Sequence, residues 1–211
     1  MSSFICTDNT DIANFLHEKA IKYEQLGKAR TYLFFDEEKL ERGLFVIVGY
    51  FSLALKTLIL PESTSTNRRK VIDGFYGKLH GHPIREVSCY LIGQIAKNSS
   101  LNQYSLSGKD LLENALATII PATEIVGGRW VLVECQNIDK LLNFYKENGF
   151  EYVAREPDDQ EEMVQMIRRI GEQYFVYDSA IINNKCDLDL TCTHRSLAGE
   201  PNPAGCIFIS V

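Results

Sequence analysis

The sequence lacks the features that define several large protein classes. It contains six cysteines in 211 residues but no C-x-x-C pair, and the cysteine spacings fit no zinc-binding template. His80 and His82 have no third ligand nearby in the sequence, so we predict no metal site. The longest apolar run, Leu44 to Leu55, is too short for a membrane-spanning helix, which needs about 20 residues.

The sequence also lacks an excess of positive charge, an internal repeat and a heptad pattern. The formal net charge of −6 argues against strong attraction of the whole surface to nucleic acid or anionic lipid. The first residues, MSSFICTDNTD, contain no basic segment followed by an apolar core, so we expect no signal peptide and no membrane association. A reducing, cytoplasmic location is therefore expected.

What is present is the composition of a globular domain, with 45% apolar and 24% charged residues. A chain of 211 residues is long enough for one domain with a sizeable core. We assign residues 1–170 to this domain. Residues 171–211 show no sustained periodicity, so we expect a C-terminal extension that is weakly structured or adds strands to the sheet edge.

Hydrophobic periodicity predicts the elements before residue 90. Residues 9–27 have the spacing of an amphipathic helix. The runs Arg30–Asp36 and Gly43–Leu60 are aromatic and β-branched, which predicts two strands of a hairpin. Residues 61–83 are rich in Ser, Thr, Gly and Pro and are predicted to be a loop with marginal structure.

The most informative stretch runs from Cys89 to Ala117. An apolar run up to Ala96 predicts a buried strand, a polar loop follows, and a helix begins after Ser107, which Asp110 completes as a capping signal. The free N–H groups of a first helical turn attract anions, and Gly108 allows a ligand to approach the backbone. The stretch alone is compatible with an anion site or with an ordinary connecting loop.

Two motifs in this order resemble those of the GNAT N-acetyltransferases. Gln103-Tyr-Ser-Leu-Ser-Gly108 is similar to the family's Q/R-x-x-G-x-G/A loop, although Leu106 stands where the family usually has glycine. Phe144-Tyr-Lys-Glu-Asn-Gly-Phe150 is similar to its F-Y-x-x-x-G-F motif. A strand over Arg129–Cys135 separates the two motifs.

The remaining elements agree with this resemblance. We predict that Pro121 ends the helix that follows Ser107, that Asn137 caps the next helix, and that Gly149 ends it in a left-handed conformation. A final antiparallel pair is predicted around residues 157–162. The resemblance implies a mixed α/β (α+β) fold, with a central, mostly antiparallel sheet that is splayed at its middle and flanked by helices.

The resemblance further implies acetyl-CoA as co-substrate, in a gap between the strands Tyr90–Ala96 and Arg129–Glu134. The pantetheine arm would pair with the backbone of residues 95–97, which would also supply the oxyanion donor, and the pyrophosphate would lie over residues 103–109. The implied cofactor-binding residues are Ile95, Ala96, Lys97, Gln103, Ser105, Leu106, Ser107, Gly108, Lys109 and Asn137.

The resemblance makes Tyr145 the general acid that protonates the leaving thiolate, since a phenol with a pKa of about 10 is a proton donor at neutral pH. Helical spacing alone is equally satisfied if Tyr145 fills the core. Glu134 ends a strand beside the gap and is the best-placed carboxylate for a general base. A water chain is the alternative base.

Three functions follow from these observations. The first is acetylation of a primary amine on a small molecule or protein. The second is a toxin-like acetylation of aminoacyl-tRNA, for which the basic residues between Arg68 and Lys78 would contact RNA, or the 3′-phosphate of coenzyme A, unless they are merely solvated. The third is a non-catalytic interaction module, if Leu106 has cost the loop its cofactor. A homodimer is compatible with each.

Overall fold

A seven-stranded sheet with helices packed on both faces forms the centre of the molecule, in a computed structural model that describes residues 4–101, 104–155, 157–158, 160–170 and 206–210. The helices are α1 (Thr10–Asn14), α2 (Ala20–Gln25), α3 (Glu37–Glu41), α4 (Thr66–Asp73), α5 (Gly108–Val126) and α6 (Asp139–Glu147), with a π-helical turn (Phe15–Lys19) between α1 and α2. The strands are β1 (Arg30–Asp36), β2 (Ile47–Ile59), β3 (Lys78–Leu79), β4 (His82–Pro83), β5 (Glu86–Lys97), β6 (Trp130–Gln136), β7 (Glu151–Tyr152), β8 (Met163–Arg169) and β9 (Cys206–Ser210).

The strand order in the large sheet is β7-β8-β6-β5-β2-β1-β9, and β3 and β4 form a separate small hairpin. Among the described strands, β5 and β6 make the one parallel pair; the other neighbours are antiparallel. The predicted fold class is therefore confirmed: the sheet is mixed, mostly antiparallel and flanked by helices.

The sheet is splayed at the β5–β6 junction. Ile92 pairs with Leu53 and Gln94 pairs with Ser52, so Gly93 is an extra residue that forms a β-bulge in β5. Pairing between β5 and β6 stops at Ile92 and Val133, although both strands continue for several residues. Because a bulge bends its strand and increases the local twist, it accounts for the separation of the two strands beyond this point.

The two faces of the sheet carry different cores. On one face, here called the α5 face, α5 and α6 cover a single large cluster that includes Leu111, Val133 and Tyr145. On the other, the α4 face, there are two separate clusters, one beneath α4 and one beneath α1 and α2. Each fully buried aliphatic or aromatic side chain contributes about 1.5–3 kcal/mol relative to an exposed one, so these clusters hold the helices on the sheet.

The prediction of a loop over residues 61–83 is wrong, because the segment contains α4. Ser65 caps this helix by accepting a hydrogen bond from the Arg68 N–H at 3.2 Å, and Gly74 ends it with a φ of 93°. Arg69 is 4% exposed and donates to four backbone carbonyl groups around the helix, among them that of Thr64 at 2.9 Å. Arg68 donates to the backbone of Tyr152 and pairs with Glu151. Both arginines thus stabilise the segment itself, and their contact with an anionic partner stays a prediction.

Helix boundaries confirm one prediction and correct two. Gly149 has a φ of 79°, as expected for the residue that ends α6. Pro121 does not end α5, because Ile119 and Thr123 on either side are buried and their packing outweighs the roughly 3 kcal/mol that an internal proline costs. Asn137 does not cap α6, which begins after Ile138 without a side-chain cap.

None of the helices that the structure describes is both long and apolar enough to cross a membrane.

Residues 206–210 form β9, which pairs antiparallel with β1 at the edge of the sheet, from Tyr32 opposite Ser210 to Asp36 opposite Cys206. The rest of the predicted extension, residues 171–205 and 211, lies outside the described residues. The division of the chain at residue 170 stays a prediction.

Candidate active site

The gap between β5 and β6 is the first component of the candidate site. Residues 95–97 of β5 pair with β2 on one side only, because β6 has already separated from β5 on the other side. In an antiparallel pair, alternate residues direct their N–H and C=O groups away from the partner strand. The gap is therefore lined by backbone groups that can pair with an extended ligand containing amides; cofactor binding by Ile95, Ala96 and Lys97 stays a prediction.

The N-terminus of α5 is the second component. Ser107 Oγ accepts from the Asp110 N–H at 3.1 Å, and the Asp110 carboxylate accepts from the Ser107 N–H at 2.7 Å. The predicted capping box is confirmed, and it turns the Asp110 charge back onto its own helix. The N–H groups of Gly108 and Lys109 make no hydrogen bond with any described residue, so they are free to bind an anion.

The side chains of this first turn leave the helix end open. Gly108 is exposed, and a Cβ atom placed on it would meet the Phe144 ring at 3.7 Å, an ordinary contact. The Lys109 ammonium lies 3.7 Å from the Glu113 carboxylate, and both side chains are exposed. Surface pairs of this kind are weak, so Lys109 is available to a phosphate.

The loop that leads to α5 is fixed at both ends. Asn98 is 3% exposed; its amide donates to the carbonyl of Ile47 at 3.0 Å and accepts from Ser100 Oγ at 2.7 Å. Near the other end, the Tyr104 hydroxyl donates to the Asp36 carboxylate and accepts from Lys39 at 3.1 Å. The hydrogen bond from Tyr104, followed by that from the Lys39 backbone, lowers the pKa of Asp36. The charged pair thus holds Tyr104, and with it the loop, against β1.

Leu106 belongs to the core. It is 4% exposed and packs in the cluster beneath α5, and a Cβ atom on Gly49 would come within 2.7 Å of its side chain. The leucine that replaces the family's glycine therefore points away from the exposed surface of the loop, where Ser105 and Ser107 lie. Gln103 lies outside the described residues.

Tyr145 lies on the α5 face between two phenyl rings, with centroid distances of 5.2 Å to Phe144 and 5.4 Å to Phe150. It is 6% exposed, and its hydroxyl makes no hydrogen bond with any described residue. In the part of the chain that the structure describes, the enclosed side-chain oxygens without a partner are those of Thr31 and Thr64, so the Tyr145 oxygen is not sealed from open space. Burial, with a smaller contribution from Cys135, raises the pKa of Tyr145 and keeps the phenol protonated at neutral pH.

Glu134 is the first residue of β6 beyond its last pair with β5. Its carboxylate accepts from Lys56 Nζ at 2.5 Å and from Gln165 Nε2 at 2.7 Å. Burial alone would raise the pKa of Glu134, but the hydrogen bonds from Lys56 and Gln165 outweigh burial and lower it. A carboxylate with a lowered pKa is a weaker base. The position of Glu134 beside the gap agrees with the sequence prediction, whereas its hydrogen bonds favour charge pairing over proton abstraction.

The Asn137 side chain is held by the loop that precedes β8. Its amide nitrogen donates to the carbonyl of Asp158 at 2.9 Å. Together with residues such as Ile138 and Glu161 it lines a separate open pocket of about 420 Å³. The role of Asn137 in cofactor binding stays a prediction.

Five residues that shape the site were not among the predicted site residues. Gly93 forms the bulge, Asn98 and Tyr104 fix the loop, and Lys56 and Gln165 bind Glu134. A single glycine inside an apolar run is a recognised signal for a bulge and identifies Gly93. The other four act through contacts between segments far apart in the chain, which local patterns do not reveal.

No protein-family model matches the sequence, and no curated protein matches it. Solved structures match it in fold. One described as a bacterial toxin aligns with a TM-score of 0.58, over 88% of this chain and 89% of its own, at 16% identity. A tyrosine-to-phenylalanine mutant of the toxin AtaT, bound to the C-terminus of the antitoxin AtaR and to acetyl-CoA, aligns with a TM-score of 0.56, over 86% and 89%, at 16% identity. AtaT complexed with acetyl-methionyl-tRNAfMet aligns with a TM-score of 0.54, over 78% and 85%, at 19% identity.

At these identities the comparison establishes the fold alone. The chain has the GNAT-like fold of these toxin structures, which confirms the resemblance deduced from the two sequence motifs.

Proposed function

We propose that the protein transfers an acetyl group from acetyl-CoA to a primary amine. The observation that carries this proposal is the gap after Ile92 and Val133, which opens beside the free N-terminus of α5 and has Tyr145 on one side. A backbone-lined slot, an anion site and a proton donor are the three components that direct acyl transfer from a CoA thioester requires. AtaT, which has the same fold, has been crystallised with acetyl-CoA.

The residues present fit acetyl-CoA. The free N–H groups of Gly108 and Lys109 and the Lys109 ammonium meet the charge of a pyrophosphate. The backbone of residues 95–97 pairs with the amides of the pantetheine arm, and an N–H group there binds the carbonyl oxygen as it gains charge. Because the Leu106 side chain is in the core, it does not cover this path, which removes the reason to regard the loop as decayed.

The chemistry needs a proton donor for the leaving thiolate and a neutral amine as nucleophile. The Tyr145 hydroxyl, protonated at neutral pH and without a competing hydrogen bond among the described residues, supplies the proton. The amine loses its proton to water, because the hydrogen bonds from Lys56 and Gln165 make the Glu134 carboxylate a weak base.

Calorimetric titration with acetyl-CoA tests the cofactor site, with Gly108→Tyr as the blocking variant. The backbone of Gly108 does not require glycine, and the nearest neighbour of an added Cβ lies at 3.7 Å. The variant should therefore fold while its ring covers the helix end. We expect low-micromolar binding by the wild type and at least a roughly tenfold loss in the variant, about 1.4 kcal/mol.

Glu124→Tyr is the matched control, because Glu124 is exposed at the opposite end of the same helix. It should bind acetyl-CoA as the wild type does. No binding by the wild type would refute the cofactor site and favour the non-catalytic module. Equal binding by wild type and Gly108→Tyr would place the phosphates elsewhere.

A second candidate is acetylation of the amine of an aminoacyl-tRNA. It is favoured by the fold shared with AtaT, whose structure has been solved in complex with acetyl-methionyl-tRNAfMet. The net charge of −6 does not favour RNA binding, and Arg68 and Arg69 are engaged by the protein itself. These two arginines therefore offer less positive charge to RNA than the sequence suggested.

Cell-free translation distinguishes the two candidates. If aminoacyl-tRNA is the acceptor, the wild type with acetyl-CoA should inhibit translation, and Tyr145→Phe should not. Equal inhibition by both proteins, or inhibition that does not depend on acetyl-CoA, would exclude the tRNA reaction and leave a small-molecule or protein amine as acceptor.

Two further expectations accompany the proposal, a cytoplasmic location and assembly as a homodimer. The location follows from a reaction that uses acetyl-CoA, and fractionation of cells that produce the protein tests it. Light scattering coupled to size-exclusion chromatography tests the dimer.

A further inference from the structure

The Lys56 side chain extends from β2 across β5, along one face of the sheet, to reach the gap between β5 and β6. Lys56 lies on β2 opposite Cys89 of β5. The next residue of β5, Tyr90, pairs with Val131 of β6, three positions before Glu134. The Lys56 ammonium therefore spans β5 diagonally to bind the Glu134 carboxylate at 2.5 Å. A primary amine is thus held at the first residue beyond the last β5–β6 pair.

The side chains on the two faces of the sheet differ in exposure at the gap. On the α5 face, Tyr145, Cys135 and Leu106 are each at most 6% exposed. On the α4 face, the Lys56 and Glu134 side chains keep 38% and 30% of their exposure. They lie between the two separate apolar clusters of that face, neither of which includes them. An acceptor amine therefore reaches the gap from the side that Lys56 occupies.

The bulge leaves room beside this amine. Gly93 is exposed, and a Cβ atom on it would find as its nearest neighbours Leu91 at 3.7 Å and the Ser52 carbonyl at 4.0 Å. Gly93 is the first residue of β5 beyond the last pair with β6, as Glu134 is the first of β6. Gly93 itself therefore places no side chain between the Lys56–Glu134 pair and the space between the strands.

We propose that Lys56 is an internal acceptor, acetylated on Nζ by acetyl-CoA bound to the same molecule. The proposal rests on the proposed function, since it uses the same thioester and the same acid. Lys56 Nζ occupies the position through which any external amine must pass. In the free protein, the lysine amine therefore takes the place of the external amine.

The step balances without another reactant. The Lys56 ammonium separates from Glu134 and releases one proton to water. Water reaches this ion pair because the pair is partly exposed. The Nζ lone pair attacks the thioester carbonyl carbon, a C–N bond forms and the C–S bond breaks. The leaving thiolate takes the Tyr145 proton, and the second nitrogen proton returns to Tyr145 through water. The products are acetyl-lysine, free CoA and one released proton.

Acetylation changes the mouth of the gap. It removes the positive charge of Lys56 and leaves the Glu134 carboxylate with Gln165 as its remaining side-chain donor among the described residues. A partly buried carboxylate that has lost its cation carries an uncompensated charge, which an incoming ammonium group would neutralise. The acetylated protein would therefore bind an external ammonium group at Glu134 better than the free protein does.

The test is incubation of the full-length protein with acetyl-CoA alone, followed by peptide mass spectrometry. Lys140 provides the internal reference, because it is also ion-paired, with Asp8, but its side chain is 82% exposed. Non-enzymatic acetylation would favour the more exposed amine. We expect Lys56 to be acetylated about tenfold faster than Lys140 or more, at a first-order rate that does not change with protein concentration.

Three variants separate the outcomes. Lys56→Arg keeps the charge but has no amine that this step can acetylate, so the fast phase should disappear. Tyr145→Phe and Gly93→Val should slow the fast phase without changing the rate at Lys140. Acetylation of Lys56 no faster than Lys140, or equally fast in Tyr145→Phe, would overturn the proposal. If calorimetry shows acetyl-CoA binding but Lys56 stays unmodified, the internal acceptor is wrong and the proposed function stands; absence of binding refutes both.

Discussion

Replacement of Tyr145 by phenylalanine separates the two roles that this residue fulfils. The substitution removes one oxygen and keeps the ring that packs between Phe144 and Phe150. The hydroxyl has no hydrogen-bond partner among the described residues, so its loss leaves no group there unsatisfied. We expect the free energy of unfolding, measured in urea, to change by less than about 1 kcal/mol. The dissociation constant for acetyl-CoA should stay within about twofold.

Turnover should respond very differently. A positioned general acid contributes about 10²–10⁴-fold to the rate, which corresponds to about 3–5 kcal/mol of transition-state stabilisation. The assay is release of the CoA thiol in the presence of an acceptor amine, or acetylation of Lys56 when no acceptor is added. A variant whose turnover stays within about twofold of the wild type would refute the role of Tyr145 as acid and leave it as a core residue.

The pH dependence of the same reaction provides an independent check. Because burial raises the pKa of Tyr145, the acid form persists below its folded pKa and is lost only as the pH rises through that value. The alkaline limb that belongs to Tyr145 should therefore lie above pH 10, roughly the pKa of a free phenol. An alkaline limb near neutral pH that disappears in Tyr145→Phe would contradict the effect of burial described here.

Two further predictions concern stability. Asn98→Ala should lower the free energy of unfolding by about 2–4 kcal/mol, because it leaves the buried carbonyl of Ile47 and the hydroxyl of Ser100 without their partner; a loss below about 1 kcal/mol in urea unfolding would show that water replaces the amide. Arg69→Met should cost about 2–3 kcal/mol, because four carbonyl groups around α4 lose a donor. Lys70→Met is its control on the exposed side of α4 and should stay within about 0.5 kcal/mol.

The parts of the fold that depend on neighbours in the chain were predictable from sequence. The strand Arg30–Asp36 has the predicted bounds, because its aromatic run is flanked by residues that end it. The capping box of Ser107 and Asp110 and the left-handed Gly149 also depend on residues at most a few positions apart. Ser65 and Gly74 gave equally local signals for α4, and the density of turn-forming residues between Pro61 and Pro83 hid them.

The parts of the site that depend on distant segments were not predictable. Lys56 and Glu134 are 78 positions apart, and Tyr104 and Asp36 are 68 apart. Nothing in a local pattern indicates which charge such a residue will meet, so Glu134 was predicted as a general base without its ion pair with Lys56 being foreseen. The inward turn of Leu106 belongs to the same class, because it depends on the space that the core leaves beneath α5.

The short contact between β5 and β6 has a mechanical consequence. Three residue pairs, Tyr90–Ile92 against Val131–Val133, join the β9-β1-β2-β5 half of the sheet to the β6-β8-β7 half. Three residue pairs supply few backbone hydrogen bonds. Slow hydrogen exchange of their amides would therefore depend on the side chains packed across β5 and β6. A ligand arm that pairs with the exposed edge of β5 adds backbone hydrogen bonds where the strands have parted. It would thus act as an additional strand that connects the two halves of the sheet. The two halves would then move least relative to each other when the substrate is bound.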